Sequence, residues 1–284
     1  MNVGILANPH KSGSIPTLHA LRAALDARGI ASVLEEHTAA LMGESGGIPA
    51  ASFSRHVDLA AVIGGDGTML HALACFGHFD KPVAGINIGT LGFLTSCKDH
   101  ELDQFAAALA GGCFSTCART LLEATIHQAG QPPTSFTALN EITVARGETG
   151  RLVSLRVSVN GELLNDYRAD GLIVATPTGS TAYSLSAGGP LIAPHAAVFL
   201  ITPICPHSLS QRALVLSDSC VVDLSSEDLA SGPMLFTVDG RDSMHIEPGD
   251  RIEVKKSPHS FHLLRLQGQS FYLALRQKLG WQGL

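Results

Sequence analysis

The chain has 284 residues, of which 45% are hydrophobic and 15% are charged, and its formal net charge is −6. This length is enough for one large domain or two ordinary ones, each with a full apolar core. The acidic balance argues against a nucleic-acid-binding protein, so any bound phosphate must be held by local donors such as backbone amides, helix N-termini and a few arginines.

The N-terminal part of the chain alternates between strand and helix patterns. Short apolar runs predict strands at Val3–Leu6, Ala31–Leu34, Leu59–Ile63 and Val83–Ile88. Apolar residues at helical spacing predict helices at Thr17–Arg28, from the turn after Ile63 through about Phe76, and from a cap at Asp99 to a stop at Gly111-Gly112. Residues 42–54, rich in Gly, Ser and Pro, are predicted to form a loop. This alternation indicates a parallel sheet flanked by helices.

The pattern becomes β-rich after residue 112. Strands are predicted at Leu121–Ile126, Ile142–Ala145, Val153–Val159, Leu172–Ala175, Val198–Ile201, Val221–Leu224, Leu235–Val238 and Ile252–Val254. Turns are predicted at Asn160-Gly161, which favours a type I′ hairpin, and at Asp239-Gly240 and Pro248-Gly249-Asp250. One helix is expected around Tyr183, and a last helix is expected from a cap at Ser270 to a stop at Gly280.

These patterns predict two domains. Residues 1–112 together with about 262–284 are expected to form a parallel α/β domain, and residues 113–261 a β-rich, β-sandwich-like domain. A lone terminal helix needs a surface to pack against, so the last helix is expected to return to the first domain.

The turn Gly64-Gly65-Asp66-Gly67-Thr68 connects a buried strand to a helix. Its glycines allow positive φ angles and a close approach of backbone N–H groups to an anion, most often a phosphate. Asp66 can then hold Mg²⁺ or accept a proton from an attacking hydroxyl. A plain strand-to-helix turn is the alternative, because short glycine motifs also occur by chance. No G-x-x-x-x-G-K or G-x-G-x-x-G pattern is present, so neither a P-loop nor a Rossmann turn is expected.

Two further motifs place polar side chains beside apolar runs. Asn140-Glu141 precedes a strand, where an amide can bind the edge of a base or sugar and an acid can hold a diol, although both are also ordinary turn residues. Arg168 and Asp170 precede the next motif, in which Tyr183 can stack on a base or nicotinamide. Hydroxyl donors surround this tyrosine at Thr178, Ser180, Thr181, Ser184 and Ser186. The alternative for this segment is an N-capped helix with incidental serines.

Cysteine and histidine usage indicates a cytoplasmic protein without a structural metal site. The six cysteines form no C-x-x-C pair and are expected to be reduced, mostly buried thiols. The thirteen histidines show no H-E-x-x-H or similar spacing. We see no signal peptide and no apolar stretch long enough for a membrane helix, so neither a membrane nor nucleic acid is expected as a partner.

Taken in order, these motifs resemble those of bacterial NAD kinases. The matching segments are Gly64–Thr68, Gly85–Leu94, Asn140-Glu141, Arg168–Gly171, Thr176–Tyr183, Ser186–Pro190, Thr202–Leu209 and Leu279–Trp281. The number and order of these segments make the match specific. The first segment alone would not, because diacylglycerol and sphingosine kinases look similar there.

The resemblance implies transfer of a phosphoryl group from ATP to the 2′-hydroxyl of the adenosine ribose of NAD, giving NADP, with a divalent metal, most simply Mg²⁺, at an active site between two domains. It implies that Asp66 is the general base. The candidate substrate-binding residues are Asp66, Gly67, His71, Asn140, Glu141, Arg151, Arg168, Asp170, Thr181, Ala182, Tyr183, Ser184, Leu185, Ser186 and Arg241. Family members are usually homodimers or homotetramers in which a neighbouring subunit contributes to the site.

Several choices stay open at this point. Arg241 stands where the family often has glutamine or a similar polar residue, and an arginine there would favour a phosphorylated or reduced dinucleotide, so the choice between NAD and NADH is undecided. A lipid kinase is one alternative, although the hydroxyl-rich residues 176–190 suit an acyl chain poorly. A dinucleotide sensor without catalysis is the other, and such a protein would not need Asp66.

Overall fold

The structure is a computed structural model that describes residues 1–89, 92–147, 150–228 and 232–281. The chain divides into two compact units: unit 1 comprises Met1–Ala118 and Phe261–Leu284, and unit 2 comprises Arg119–Ser260. The division after Ala118 falls inside a long strand, whereas the predicted boundary was placed at the preceding Gly111-Gly112 stop.

Unit 1 is an α/β unit. Its strands are β1 (Asn2–Ala7), β2 (Ala31–Leu34), β3 (Leu59–Gly64), β4 (Val83–Asn87) and β5 (Cys97–Lys98). Its first helices are α1 (Ser14–Asp26), α2 (Glu36–Leu41), α3 (Phe53–His56), α4 (Asp66–Phe76) and α5 (Leu102–Ala110), with a 3₁₀ turn at Ala50–Ser52. The strands lie in the order β4-β3-β1-β2 and pair in parallel, with β5 beside β4.

Helices cover both faces of this parallel sheet. On one face, Leu21 of α1 and Phe105 of α5 join Ile5 in a continuous apolar core. On the other face, the rings of Phe53 and Phe76 stack with centroids 5.6 Å apart. All six residues of β3 are buried, which explains the uninterrupted apolar run of this strand in the sequence.

The structure differs from three local predictions in unit 1. Helix α2 was missed because its six residues are too few to show a helical period, and its cap is Glu35, whose carboxylate accepts the N–H groups of His37 and Thr38. The predicted loop over residues 42–54 contains the 3₁₀ turn and the start of α3. The N-cap of α5 is Glu101 in place of Asp99.

Unit 2 is built almost entirely of antiparallel strands. These are β6 (Phe114–His127), β7 (Thr134–Ala138), β8 (Glu141–Arg146), β9 (Val153–Val159), β10 (Glu162–Ala169), β11 (Gly171–Ala175), β12 (Val198–Ile204), β13 (Leu214–Ser217), β14 (Val222–Ser225), β15 (Met234–Val238), β16 (Asp242–Ile246) and β17 (Arg251–Leu266). Strands β6 and β17 each continue from one unit into the other. A 3₁₀ turn (Gly179–Thr181) and helix α6 (Tyr183–Ser186) lie between β11 and β12.

Two sheets of unit 2 enclose an apolar core. One sheet has the order β13-β12-β11-β8-β15-β16, and the other contains the series β10-β9-β14-β17. Val174 and Phe236 of the first sheet pack with Leu155 and Val254 of the second. The hairpin between β9 and β10 turns at Asn160-Gly161, both with positive φ, as the sequence predicted.

The last helix, α7 (Phe271–Leu279), belongs to unit 1. The Ser270 hydroxyl accepts the Leu273 N–H at 3.0 Å, and Gly280 ends the helix in the left-handed conformation, so the predicted cap and stop are confirmed. The fold class is the expected one: a parallel α/β unit, a β-sandwich-like unit and a terminal helix in the first unit.

The cysteine prediction is correct in one respect and wrong in another. All six cysteines are free thiols, but only Cys97 is fully buried, and that burial raises the pKa of its thiol to about 12. Among the described residues, no helix is long and apolar enough to cross a membrane.

Candidate active site

A cleft opens at the carboxyl edge of the sheet in unit 1. Strand β1 has β2 on one side and β3 on the other, so the chain order changes direction between β1 and β3. Open α/β sheets bind ligands at such a switch point, beyond the carboxyl ends of the strands. The cleft has a volume of about 340 Å³ and is lined by Asn8, Lys11, Gly65, Asp66, Gly67, Thr68, Asn87, Ile88, Gly92 and Lys278.

Asp66 is the first residue of α4 and is half-buried in this cleft. One oxygen of its carboxylate accepts the Phe93 N–H at 2.9 Å and the other accepts the Leu94 N–H at 3.0 Å. A Cβ at Gly92 would lie 2.0 Å from the Oδ1 atom of Asp66, so only glycine allows the loop to approach the carboxylate this closely. The carboxylate is therefore held in one orientation by backbone donors.

The glycines of the turn have a different role from the one predicted. None of Gly64, Gly65 and Gly67 has a positive φ angle. Gly64 is needed because a Cβ there would lie 2.2 Å from the Thr68 hydroxyl oxygen, whereas a Cβ at Gly67 would meet nothing within 4 Å. Close packing requires the first glycine, and the exposed Gly67 leaves the start of α4 open to the cleft.

Positive groups and an amide complete the cleft. The Lys11 ammonium donates to the Ile88 carbonyl at 3.2 Å, and Lys278 is exposed in the last turn of α7. The Asn8 amide donates to the Thr68 hydroxyl at 3.1 Å and so links the end of β1 to the first turn of α4. Together with the N-terminus of α4, these groups can bind an anion. Sequence reasoning missed Asn8, Lys11 and Lys278, because only the fold brings these isolated residues together.

In unit 2, Asn140-Glu141 forms the entrance to β8. Glu141 is buried, and its Oε2 atom has no hydrogen-bond partner in the described structure. Burial raises the pKa of Glu141 to about 8, the charge of Asp239 adds to this rise, and the Tyr183 N–H opposes it. A buried carboxyl with a free acceptor and a displaced pKa is typical of a binding or catalytic position.

The hydroxyl-rich segment near Tyr183 is only partly available to a ligand. Ser180 and Ser184 have fully buried side chains; the Ser180 hydroxyl donates to the Pro177 carbonyl at 2.7 Å, and the Ser184 hydroxyl lies 2.8 Å from that of Thr202. The prediction that these two side chains are ligand donors was therefore wrong, because the hydroxyls stabilise the turn and α6 instead. Tyr183, in contrast, is 45% exposed. Of the other candidates in this segment, Ser186 is exposed, and the half-buried ones are Thr181, Ala182 and Leu185.

The remaining candidates in unit 2 are mostly charged. Arg168 and Arg151 are exposed, and Asp170 pairs with Arg146 at 3.2 Å, a partner that the sequence did not suggest. Arg241 is partly buried, with its Nε atom lacking a hydrogen bond in the described structure and a terminal nitrogen 3.7 Å from Asp239.

In unit 1, His71 lies on the exposed side of α4, one turn after Gly67, with its Nε2 atom 3.4 Å from the Cys75 sulfur. His71 lines a second cavity of about 610 Å³, which shares Asn8, Gly67 and Thr68 with the cleft. Within the motif Gly85–Leu94, residues 90 and 91 lie outside the described residues.

Comparison with known proteins identifies both parts of the chain. Residues 48–113 match the model of the ATP-NAD kinase N-terminal domain, and residues 139–266 match the model of the ATP-NAD kinase C-terminal domain. The chain is 40% identical to NAD kinase of Chlorobaculum tepidum, over 99% of this chain and 97% of that protein. It is 37% identical to NAD kinase of Aeromonas salmonicida, over 98% of this chain and 96% of that protein.

Solved structures share the same architecture. Yeast NADH kinase in complex with NADH aligns with a TM-score of 0.87 at 28% identity, covering 100% of this chain and 89% of that chain. An NAD kinase from Archaeoglobus fulgidus in complex with ATP aligns with a TM-score of 0.78 at 22% identity over 100% of both chains, which shows a common fold. The two domain matches and the full-length relatives establish that this chain belongs to the NAD kinase family.

Proposed function

We propose that the chain transfers the terminal phosphoryl group of ATP to the 2′-hydroxyl of the adenosine ribose of NAD, producing NADP. The observation that carries this proposal is the position of Asp66 at the N-terminus of α4, in a cleft that also contains Lys11 and Lys278. Two backbone N–H groups of a neighbouring loop fix its carboxylate. An oriented acceptor beside an anion-binding surface suits phosphoryl transfer to a hydroxyl, because catalysis there is mainly positioning and charge neutralisation.

In this proposal, Asp66 accepts the proton of the attacking hydroxyl. Each of its oxygens accepts one backbone hydrogen bond and keeps a further lone pair for a proton. Lys11, Lys278 and the N-terminus of α4 neutralise the phosphates of the donor.

Unit 2 supplies the recognition of NAD in this proposal. Asn140 and Glu141 bind hydroxyl and base edges, and the exposed ring of Tyr183 stacks on a planar ring. Further contacts are assigned to Arg151, Arg168, Asp170, Arg241 and residues 181–186, and in unit 1 to Gly67 and His71. For Ser184, the contact must come from its main chain, because its hydroxyl bonds Thr202.

The cleft in unit 1 fits a magnesium ion that arrives with the nucleotide. Asp66 is the only carboxylate among the described residues that line the cleft, and Mg²⁺ is usually bound by one or two carboxylates, substrate phosphates and water. When bound, the ion would neutralise charge on the transferred phosphate. Glu35, Glu36 and His37 also lie within ligand distance of one another, but each Glu35 oxygen already has two hydrogen-bond partners, in His37 or Thr38. Each Asp66 oxygen has only one such partner and keeps a lone pair for a metal. We also propose a cytoplasmic homodimer or homotetramer, as the family resemblance implies.

The test is to incubate the purified protein with Mg²⁺, ATP and either NAD or NADH, and to identify the product by mass spectrometry and with an NADP-specific dehydrogenase. Formation of NADP or NADPH with matching ADP release is expected. Binding of NAD in isothermal titration calorimetry without ATP consumption would indicate a dinucleotide sensor. Phosphorylation of diacylglycerol or sphingosine in place of NAD would indicate a lipid kinase.

A further inference from the structure

Asp239 is a buried acid in a place where turn residues are normally exposed. It is the first of the two central residues of the type I′ turn between β15 and β16, with φ angles of 49° at Asp239 and 65° at Gly240. Its side chain is nevertheless completely inaccessible to solvent. A buried carboxylate is costly unless it is hydrogen-bonded, so its partners define what this residue does.

The partners are three consecutive backbone N–H groups at the entrance to β8. Leu139 donates to Oδ2 at 3.0 Å, and Asn140 and Glu141 donate to Oδ1 at 2.8 Å and 3.2 Å. The Asp239 N–H in turn donates to the Glu141 carbonyl at 2.9 Å. Both carboxylate oxygens act as acceptors, and the main chain of the same residue binds the same segment.

The carbonyl groups of this segment are held by a different turn. The Thr176 N–H donates to the Asn140 carbonyl at 2.8 Å, and the Thr176 hydroxyl donates to the Leu139 carbonyl at 2.5 Å. A Cβ at Gly179 would lie 2.1 Å from the Asn140 carbonyl oxygen, so the two backbones are in close contact. Residues 139–141 are therefore fixed through their N–H groups by Asp239 and through their carbonyl groups by Thr176.

We propose that Asp239 is a positioning residue that fixes the backbone of residues 139–141 and thereby orients Asn140 and Glu141 for the dinucleotide. This inference rests on the proposed function, in which these two side chains bind NAD. Asp239 itself is enclosed by protein and touches no substrate. Its role requires two acceptor oxygens, which an aspartate provides and an asparagine does not.

The charges around Glu141 and Asp239 provide a second way to test this role, through the pH dependence of NAD binding. The groups that face the Glu141 carboxyl are the Asp239 carboxylate and the Tyr183 N–H, and Arg241 faces Asp239 from the other end of the turn. The negative charge of Asp239 raises the pKa of Glu141 in addition to the larger effect of burial. Removing that charge must therefore let Glu141 ionise at a lower pH.

The test is the variant Asp239→Asn. Asparagine tolerates positive φ as well as aspartate does, so the hairpin turn is retained, but its NH₂ group would face the Leu139 N–H and leave two donors opposed. We expect the Kd and KM for NAD to rise about 10- to 100-fold, as for a lost hydrogen bond to a charged group. The KM for ATP should change less than about threefold, and the pH midpoint of NAD binding should move to lower pH.

Asp250→Asn is the matched control. Asp250 is also a buried turn aspartate of unit 2, and it accepts the Glu247 N–H at 3.0 Å and the Gln128 amide at 2.7 Å. This variant should lose stability but keep its affinity for NAD. An unchanged Kd for NAD in Asp239→Asn, an equal rise for NAD and ATP, or an equal rise in Asp250→Asn would each overturn the proposal.

If Asp239→Asn does not fold, Asp239→Gly is measured in its place, because glycine adopts the same φ without strain and removes all three side-chain bonds. The same rise in the Kd for NAD is expected, and an unchanged value would overturn the proposal. Since the Kd is measured by calorimetry without ATP, this outcome stays separate from the product test of the proposed function.

Discussion

The two units place their acids in opposite surroundings. Asp66 in unit 1 is half-buried at the edge of a cleft, and its partners are two amides of a neighbouring loop. Glu141 and Asp239 in unit 2 are enclosed, and burial raises the pKa of both. Unit 1 thus presents a partly accessible acceptor beside lysines, whereas in unit 2 the Asp239 carboxylate is satisfied by backbone donors and Glu141 keeps one oxygen without a partner in the described structure.

In the proposed function, this difference separates chemistry from recognition. An acid that takes a proton must remain accessible to a substrate hydroxyl, while an acid that organises a binding surface can be buried if backbone donors satisfy it. Substitutions in unit 1 should therefore lower turnover, and those in unit 2 should lower affinity for the dinucleotide.

The largest effect is expected from Asp66→Asn. Loss of the proton acceptor should reduce kcat by about 10²-fold or more, since general-base help contributes 10²–10⁴-fold. Binding of NAD should survive, because most of the residues assigned to dinucleotide recognition lie in unit 2. The new NH₂ group will also oppose the Phe93 or Leu94 N–H, so a small rise in the Kd is expected. Initial rates and calorimetry measure the two quantities. The control Asp103→Asn, at a highly exposed acid of the same unit, should leave both unchanged.

A smaller loss of kcat is expected from Gly92→Ala. The new Cβ would lie 2.0 Å from Asp66 and must displace its carboxylate, so kcat should fall about 10- to 100-fold. In the control Gly111→Ala, the nearest atoms lie 3.4 Å from the new Cβ and the φ angle is −86°, so kcat should not change. Equal rates for the two variants would show that the loop contact does not orient Asp66.

The affinity for NAD should depend on pH through Glu141. Glu141 has a raised pKa of about 8, so it is mostly protonated at pH 7 and mostly ionised at pH 9. An ionised carboxylate is the better acceptor for sugar hydroxyls, so the Kd for NAD should fall roughly tenfold over this range. Calorimetry at several pH values measures the profile. Glu141→Gln should make it flat, and an affinity that weakens with rising pH would contradict this role.

The smallest effect is expected from Arg241→Gln. The nicotinamide of NAD carries a positive charge that NADH lacks, so a guanidinium near it disfavours the oxidised form by about 1 kcal/mol in a solvated site. Removing this charge should raise the ratio of kcat/KM for NAD to that for NADH by about fivefold. Arg212→Gln, at an exposed arginine of unit 2, should leave the ratio unchanged. A ratio that falls in Arg241→Gln would contradict the assignment.

Much of the fold could be predicted because it depends on local patterns. The buried parallel strands are apolar runs, and Ala31–Leu34 and Val153–Val159 have the predicted bounds. Helix α2 could not be predicted, because its cap is a glutamate and its apolar face is short.

Candidate site residues could be predicted only where a single short segment of the sequence contains the motif. Asp66 could be picked out from the glycine turn. Its contact with Gly92 could not, because only the folded chain places that loop beside Asp66. A hydroxyl such as that of Ser184 has the same sequence pattern whether it faces a ligand or Thr202. Asp239 resembles any hairpin turn residue, because its partner Leu139 is 100 residues away. The contributions of all candidate residues to substrate binding and catalysis, including that of Asp66, stay predictions.

The central claim is that Asp66 accepts the proton from the ribose hydroxyl. The most direct measurement is a crystal structure with NAD and a non-hydrolysable ATP analogue bound. We expect the 2′-oxygen of the adenosine ribose within about 3.2 Å of an Asp66 carboxylate oxygen, or joined to it by one water. A ribose bound in a different cleft, with no water path to Asp66, would contradict the account.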